Sequence, residues 1–204
     1  MTKSGEKTNM KEKIAKIIRT ITVPPVMVAL LLLILYRCKQ GFFGGIYEVL
    51  LAALFLAVIP IAAYPLQPLI PKYKDKGREG QRNLAFTLSF AGYTAAILYG
   101  VLAGTSKELL LIFATYFLSI LILLIFNKII KFRSSGHACS ISGPLIVLIY
   151  FVGWKIIVPC LILFGAICWA SLVLKRHTAK ELIGGCISCS IAFALSFISI
   201  IGIS

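Results

Sequence analysis

Long apolar runs separated by short polar connections dominate this chain, and the length of the runs predicts helices that cross a membrane. About 20 consecutive apolar residues are needed for a helix to span the hydrocarbon core of a bilayer. Seven such segments can be delimited, of which the first and the fifth are the shortest: about 21–36, 46–70, 84–103, 109–126, 140–153, 156–174 and 182–203. We therefore predict an all-α fold, a polytopic membrane bundle of six to seven transmembrane helices.

The first 20 residues break this pattern, because they are polar and basic rather than apolar. From about Asn9 onward, their apolar and charged positions follow the period of an amphipathic helix, which is typical of a segment lying on a membrane surface. We therefore divide the chain into a basic amphipathic N-terminal segment, 1–20, and a single membrane-embedded domain, 21–204.

The composition supports a membrane protein and excludes a sizeable soluble domain. Hydrophobic residues make up 59% of the chain and the mean hydropathy is +0.96, whereas soluble domains contain about 45–50% apolar residues. Because no polar domain is left to carry a binding fold, we expect no nucleic acid partner despite the net charge of +14. The basic connections are expected to attract anionic membrane lipids instead.

The cations are concentrated on one side of the predicted bundle. The polar connections 71–83, 127–139 and 175–181 are separated from one another by two spans each, so they emerge on the same face as the N-terminal segment. Together these four stretches contain 17 of the 21 Lys and Arg residues. The positive-inside rule places such a face in the cytoplasm. We expect the protein to lie in the plasma membrane of a prokaryote, with this cation-rich face towards the cytoplasm.

The only two histidines of the chain, His137 and His177, both fall in these connections. A neutral imidazole can attack phosphorus directly, and a second imidazole can protonate the leaving group as a general acid. Glu181 follows His177 by four residues, so on a helix its carboxylate lies on the same face as that ring. The surrounding cations would select an anionic substrate, and the small residues before His137 leave backbone N–H groups open to phosphate oxygens.

We expect neither a metal ion nor another cofactor at this site. Cys186 and Cys189 form a C-x-x-C pair, but they lie inside an apolar run. No second cysteine pair or nearby histidine completes a zinc site in the sequence. We interpret the six cysteines as small packing residues.

Three stretches on this face resemble motifs of the type 2 phosphatidic acid phosphatase superfamily, the lipid phosphatase and vanadium haloperoxidase-like group. SSGHA at 134–138 resembles its PSGH motif, and LKRHTAKELIGG at 174–185 resembles its third motif. KYKDKGREGQRN at 72–83 occupies the place of its first motif. The resemblance implies a divergent member that hydrolyses a lipid or isoprenoid phosphate or diphosphate through a phosphohistidine, without a metal.

The resemblance also implies roles for individual residues. His177 would be the nucleophile, His137 the general acid and Glu181 the carboxylate that orients His177. The residues that would bind the substrate phosphate are Ser135, Gly136, Lys74, Lys76, Arg78, Arg82, Lys175 and Arg176. The sequence leaves open the oligomeric state and the choice between a monophosphate and a diphosphate substrate.

One departure from the family pattern supports an alternative function. Ser171 stands six residues before His177, where the family has a phosphate-binding arginine. The alternative is a catalytically weakened relative that binds or translocates anionic lipids. A small-molecule transporter is a third possibility, although the sequence has no inverted repeat and no charged residue in the middle of a span, where coupling sites usually lie.

Overall fold

The computed structural model describes residues 10–202, and all regular structure in that range is helical. The main helices are α1 (Met10–Ile21), α2 (Pro24–Cys38), α3 (Ile46–Leu69), α4 (Gly77–Leu102), α5 (Lys107–Ile129), α6 (Gly136–Val152), α7 (Trp154–Val173) and α8 (Ala179–Ile200). The predicted all-α polytopic bundle is confirmed. Residues 1–9 of the predicted N-terminal segment lie outside the described residues.

Five of these helices are long and apolar enough to cross a membrane, namely α3, α4, α5, α7 and α8. Helices α1 and α2 meet the same test only when taken together, across a bend of 55°. Helix α6 has 17 residues, which at 1.5 Å per residue is about 25 Å and shorter than the roughly 30 Å hydrocarbon core. Over residues 10–202 the structure thus has five spans, or six if α1 and α2 form one bent span, and the remaining segment predicted as a span, 140–153, corresponds to the short helix α6.

We predicted a loop at 71–83. This prediction is wrong, because most of the connection is helical. A short helix covers Pro71–Lys74, and α4 already begins at Gly77 rather than at about residue 84. Four of the first seven residues of α4 are Arg, Glu or Gln, which are good helix formers. Hydropathy marks where a helix leaves the bilayer, whereas backbone hydrogen bonding decides where it ends.

Helix α5 is the centre of the bundle and packs against α4 and α8, while α6 packs against α2 and α8. The apolar core joins α2, α5 and α6 through side chains such as Leu31, Phe113 and Ile141, each with 0% of its surface exposed. This arrangement places the first turns of α6 and α8 side by side. Their connections carry the two histidines, so the packing of these helices determines the geometry of the site.

Helix α1 packs along α7, and its Ala15 is fully buried in that contact. The amphipathic helix predicted from about Asn9 is thus present over Met10–Ile21 and is fastened to the bundle. It brings Lys16 and Arg19 to the end of α7 that precedes His177.

Candidate active site

The backbone around His177 is fixed by two helix ends that follow each other closely. Helix α7 closes with two reverse hydrogen bonds, from the N–H of Lys175 to the carbonyl of Leu172 and from the N–H of Arg176 to that of Ser171, both 3.0 Å. Lys175 adopts the left-handed conformation that this helix ending requires, with φ +48°. Thr178 then caps α8, so His177 is held between two ordered helix termini.

A carboxylate orients the ring of His177. The Nδ1 atom of His177 lies 3.1 Å from Oε2 of Glu181, and Nε of Arg133 lies 3.1 Å from Oε1 of the same carboxylate. Glu181 also accepts a hydrogen bond from the backbone N–H of Thr178, as part of a capping box. Because Nδ1 donates to the carboxylate, it carries the proton, and the lone pair of Nε2 is left free to act as a nucleophile.

The second histidine stands on the first turn of α6. Ser135 caps this helix, since its hydroxyl oxygen accepts from the N–H of Ala138 at 3.2 Å. The N–H of Ser135 donates to the carbonyl oxygen of Glu181 at 2.9 Å, which joins the two histidine-bearing connections directly. A β-carbon on Gly185 would clash with the carbonyl oxygen of Ser135 and lie 2.8 Å from that of Ala138, so glycine permits this close approach of α8.

The rings of His137 and His177 face each other without touching. Their centroids are 6.5 Å apart and their planes differ by 11°. Nε2 of His137 is buried and has no hydrogen-bond partner among the described residues. A β-carbon on Gly136 would meet no atom within 4 Å, so the space before this helix terminus is open. The first N–H groups of α6, which have no acceptor within the helix, border the same opening and would favour an anion there.

Burial keeps both rings neutral in the free protein. It lowers the pKa of His137 to about 4, with further contributions from the positive charge of Arg19 and from His177. Burial also lowers the pKa of His177, and the hydrogen bond to Glu181 offsets this effect only in part. A bound phosphate would reverse the balance at His137, because its negative charge favours the imidazolium. Proton uptake by His137 would then accompany substrate binding.

These depressed pKa values predict that the folded protein loses stability in mild acid. The unfolded chain takes up a proton on His137 below about pH 6.5, whereas the folded protein takes it up only near pH 4. Stability should therefore fall as the pH drops from 7 to 5, by about 1–2 kcal/mol for this group, with His177 adding an effect of the same sign. Thermal unfolding of the detergent-solubilised protein at several pH values measures the effect.

The variant His137→Gln provides the control for this pH dependence, since it removes one titrating group and leaves the carboxylates unchanged. Its melting temperature should fall less between pH 7 and pH 5 than that of the wild type. Parallel curves for the two proteins would show that the imidazole of His137 titrates normally and is not shielded from water.

A cationic groove lies beside His177 and is open to solvent. It has a volume of about 430 Å³ and is lined by Glu12, Lys16, Arg78, Val173, Leu174, Lys175 and Arg176. Three of the predicted phosphate-binding cations, Arg78, Lys175 and Arg176, are thus brought together. The structure leaves Lys74, Lys76 and Arg82 exposed and outside this groove, and their side chains make no hydrogen bond or ion pair within residues 10–202.

The sequence analysis missed three cations of this region: Lys16, Arg19 and Arg133. Arg133 directly precedes the SSGHA stretch, so its position was a usable signal. Lys16 and Arg19 reach the region only because α1 packs on α7, and no local spacing indicates that contact. Over the described range, no group of three or more His, Cys, Asp or Glu side chains is arranged to hold a metal ion.

Lys175 occupies a backbone conformation that glycine adopts at lower cost, which suggests that its side chain is retained for binding. We expect Lys175→Gly to leave the melting temperature unchanged or slightly higher and to raise KM for a phosphorylated lipid about tenfold, as for the loss of one charged contact. Thermal unfolding and steady-state kinetics on one preparation measure both effects.

Lys131 offers a matched control for Lys175, because it is exposed, has φ +58° and does not line the groove. Lys131→Gly removes the same charge from the same backbone conformation and should leave KM within about twofold of the wild type. An equal rise in KM for both variants would mean that only the general positive charge of this face matters.

Comparison with known proteins finds no matching family model, no similar curated protein and no similar solved structure. The resemblance to the type 2 phosphatidic acid phosphatase superfamily therefore stays a prediction from three short motifs. The geometry of His137, His177 and Glu181 supports a function independently of these motifs.

Proposed function

We propose that this protein is an integral membrane phosphatase that hydrolyses a lipid or isoprenoid phosphate or diphosphate. The observation that carries the proposal is the histidine pair. His177 presents a free Nε2 because Glu181 holds its Nδ1 at 3.1 Å. The ring of His137 lies with its centroid 6.5 Å from that of His177, and its Nε2 has no hydrogen-bond partner among the described residues. Cations line the groove that adjoins His177 through Lys175 and Arg176, as an anionic substrate requires.

The reaction proceeds in two steps through a phosphohistidine. In the first, Nε2 of His177 attacks phosphorus, the bond to the leaving oxygen breaks, and that oxygen takes its electron pair and a proton from His137. In the second, water attacks phosphorus and gives a proton to the now neutral His137, while the phosphorus–nitrogen bond breaks and its electron pair returns to His177. Glu181 stabilises the positive charge that His177 carries in the intermediate.

The position of the site suits a substrate with an apolar tail. Both histidines lie at helix ends, beside apolar helices long enough to span a bilayer. The tail would lie among these helices while the phosphate occupies the polar face. If positive charge keeps this face in the cytoplasm of a prokaryote, an isoprenyl diphosphate or a phospholipid precursor made there is the natural substrate.

A second candidate function is binding or translocation of anionic lipids with little turnover. Two observations favour it. Ser171 supplies no cation, and the N–H of Ser135, one of the predicted phosphate contacts, already donates to the carbonyl of Glu181. Fewer donors for the phosphoryl oxygens would leave binding possible while lowering the stabilisation of the transition state.

Phosphate release from a panel of lipids tests the proposal. The purified protein in detergent would be given phosphatidic acid, phosphatidylglycerophosphate and farnesyl, geranylgeranyl and undecaprenyl diphosphates, beside the His177→Ala variant. We expect release from at least one lipid by the wild type and none by the variant. A well-folded wild type that releases nothing but binds the lipids would favour the second candidate.

A further inference from the structure

Helix α1 has two faces that differ in their surroundings. A stripe of large apolar side chains, 45–71% exposed, points away from the bundle: Met10, Ile14, Ile17 and Ile21. The opposite face carries Ala15 at 0% and Thr22, just after the helix, at 4% exposed. Arg19 lies four residues after Ala15 and is half-buried, so it belongs to the face that packs on α7.

The guanidinium of Arg19 is poorly satisfied where it lies. Within residues 10–202, its one hydrogen bond goes from Nη1 to Oγ of Ser171, at 3.5 Å, which is the long limit for such a bond. No carboxylate within the described chain forms an ion pair with it. A guanidinium has five N–H donors, and a half-buried cation without an anion is costly unless a ligand supplies one.

Arg19 acts on both rings of the proposed site. Its Nη1 donates to Oγ of Ser171, and the carbonyl oxygen of Ser171 accepts from the N–H of Arg176, the residue before His177. The positive charge of Arg19 also lowers the pKa of His137 and that of His177. Arg133 also lowers the pKa of His177, but the other cations of this region are paired or exposed. Arg133 is already paired with Glu181 at 3.1 Å, and Arg78 is exposed on the groove. Arg19 is therefore the half-buried cation that has donors to spare beside the connection that carries His177.

We propose that Arg19 binds the phosphoryl group that His177 attacks, so that α1 completes the active site. The inference rests on the proposed function, because it assigns a ligand to the same opening. The planar guanidinium would donate to two non-bridging oxygens of the phosphoryl group, as arginine does towards phosphate. Without a ligand, the guanidinium has only the long hydrogen bond to Oγ of Ser171 among the described residues.

The first test compares three variants on the lipid that the wild type hydrolyses fastest. Arg19→Met keeps the apolar stem and removes the charge, and we expect kcat/KM to fall about 100-fold or more. Arg19→Lys restores the charge but not the two parallel N–H donors of the guanidinium. Its kcat/KM should be about tenfold higher than that of Arg19→Met. Lys13→Met alters an exposed cation of the same helix and should stay within twofold. Thermal unfolding verifies that each variant is folded.

The second test uses binding without turnover. Inorganic phosphate is titrated by ³¹P NMR into His177→Ala, with and without Arg19→Met, and we expect the second substitution to weaken binding at least tenfold. Suppose that the wild type hydrolyses lipid, while Arg19→Met changes neither kcat/KM nor the Kd of phosphate by more than threefold. The inference about Arg19 is then wrong, and the proposed phosphatase activity is supported. If no lipid is hydrolysed but phosphate binding depends on Arg19, the phosphatase fails and the anion contact stands. If no lipid is hydrolysed and none of the proteins binds phosphate, both the phosphatase and the Arg19 contact are wrong. If lipid is hydrolysed but inorganic phosphate binds to none of the proteins, the kinetic comparison of the three variants decides.

Discussion

Replacing His177 with alanine should lower phosphate release from the best lipid substrate by about 10⁴-fold or more, because the atom that forms the bond to phosphorus is removed. No neighbouring group can replace it, since His137 has its own role at the leaving oxygen. Initial rates over a wide range of enzyme concentration measure the residual activity. The fold should survive, because among the described residues the ring of His177 has one hydrogen-bond partner, Glu181. Residual turnover within tenfold of the wild type would rule out nucleophilic attack by this residue.

Labelling identifies the intermediate and separates the roles of the two histidines. Substrate labelled in its terminal phosphoryl group should leave acid-labile, alkali-stable label on the wild type and none on His177→Ala. With a diphosphate, the leaving alkyl phosphate needs little help from an acid, whereas the attacking water still needs a base. His137→Ala should therefore accumulate the labelled enzyme. Label on His177→Ala would place the phosphoryl group on another residue.

The parts of this structure that sequence predicts are those determined by local pattern. Apolar runs of the right length predict the helices, because a bilayer forces the backbone to bond internally. The contact between His177 and Glu181 follows from a spacing of four residues at the start of a helix. The helical form of the start of α4 was missed, since polar residues were equated with a loop although arginine, glutamate and glutamine favour helices.

Counting spans predicted that the histidine connections emerge on one face, and the structure brings His137 and His177 to a centroid distance of 6.5 Å. The count cannot tell which side chains meet there. Arg19 and Ser171 are 152 positions apart, and their contact depends on how α1 packs on α7. An amphipathic pattern in α1 is equally typical of a helix on a lipid surface and of one packed on a bundle, so the sequence did not distinguish them.

Replacing Glu181 with glutamine should lower kcat about 10³-fold and change KM little, since the phosphate contacts remain. The carboxylate accepts from Arg133 with one oxygen and from His177 with the other, both at 3.1 Å. An amide has one oxygen. If that oxygen stays with Arg133, the NH₂ group faces Nδ1 of His177, which must then accept, and the proton moves to Nε2. The nucleophilic lone pair is lost although the ring stays in place.

Thr178→Ala is the control that isolates this electronic role from the structural one, because Glu181 also belongs to the capping box of α8. Removing the threonine hydroxyl should cost about 1 kcal/mol of stability and leave kcat within about threefold. Steady-state kinetics and thermal unfolding of both variants separate the two effects. Equal losses of kcat in Thr178→Ala and Glu181→Gln would assign Glu181 to the helix cap alone. A loss confined to Glu181→Gln would instead tie turnover to the tautomer of His177, which the carboxylate determines.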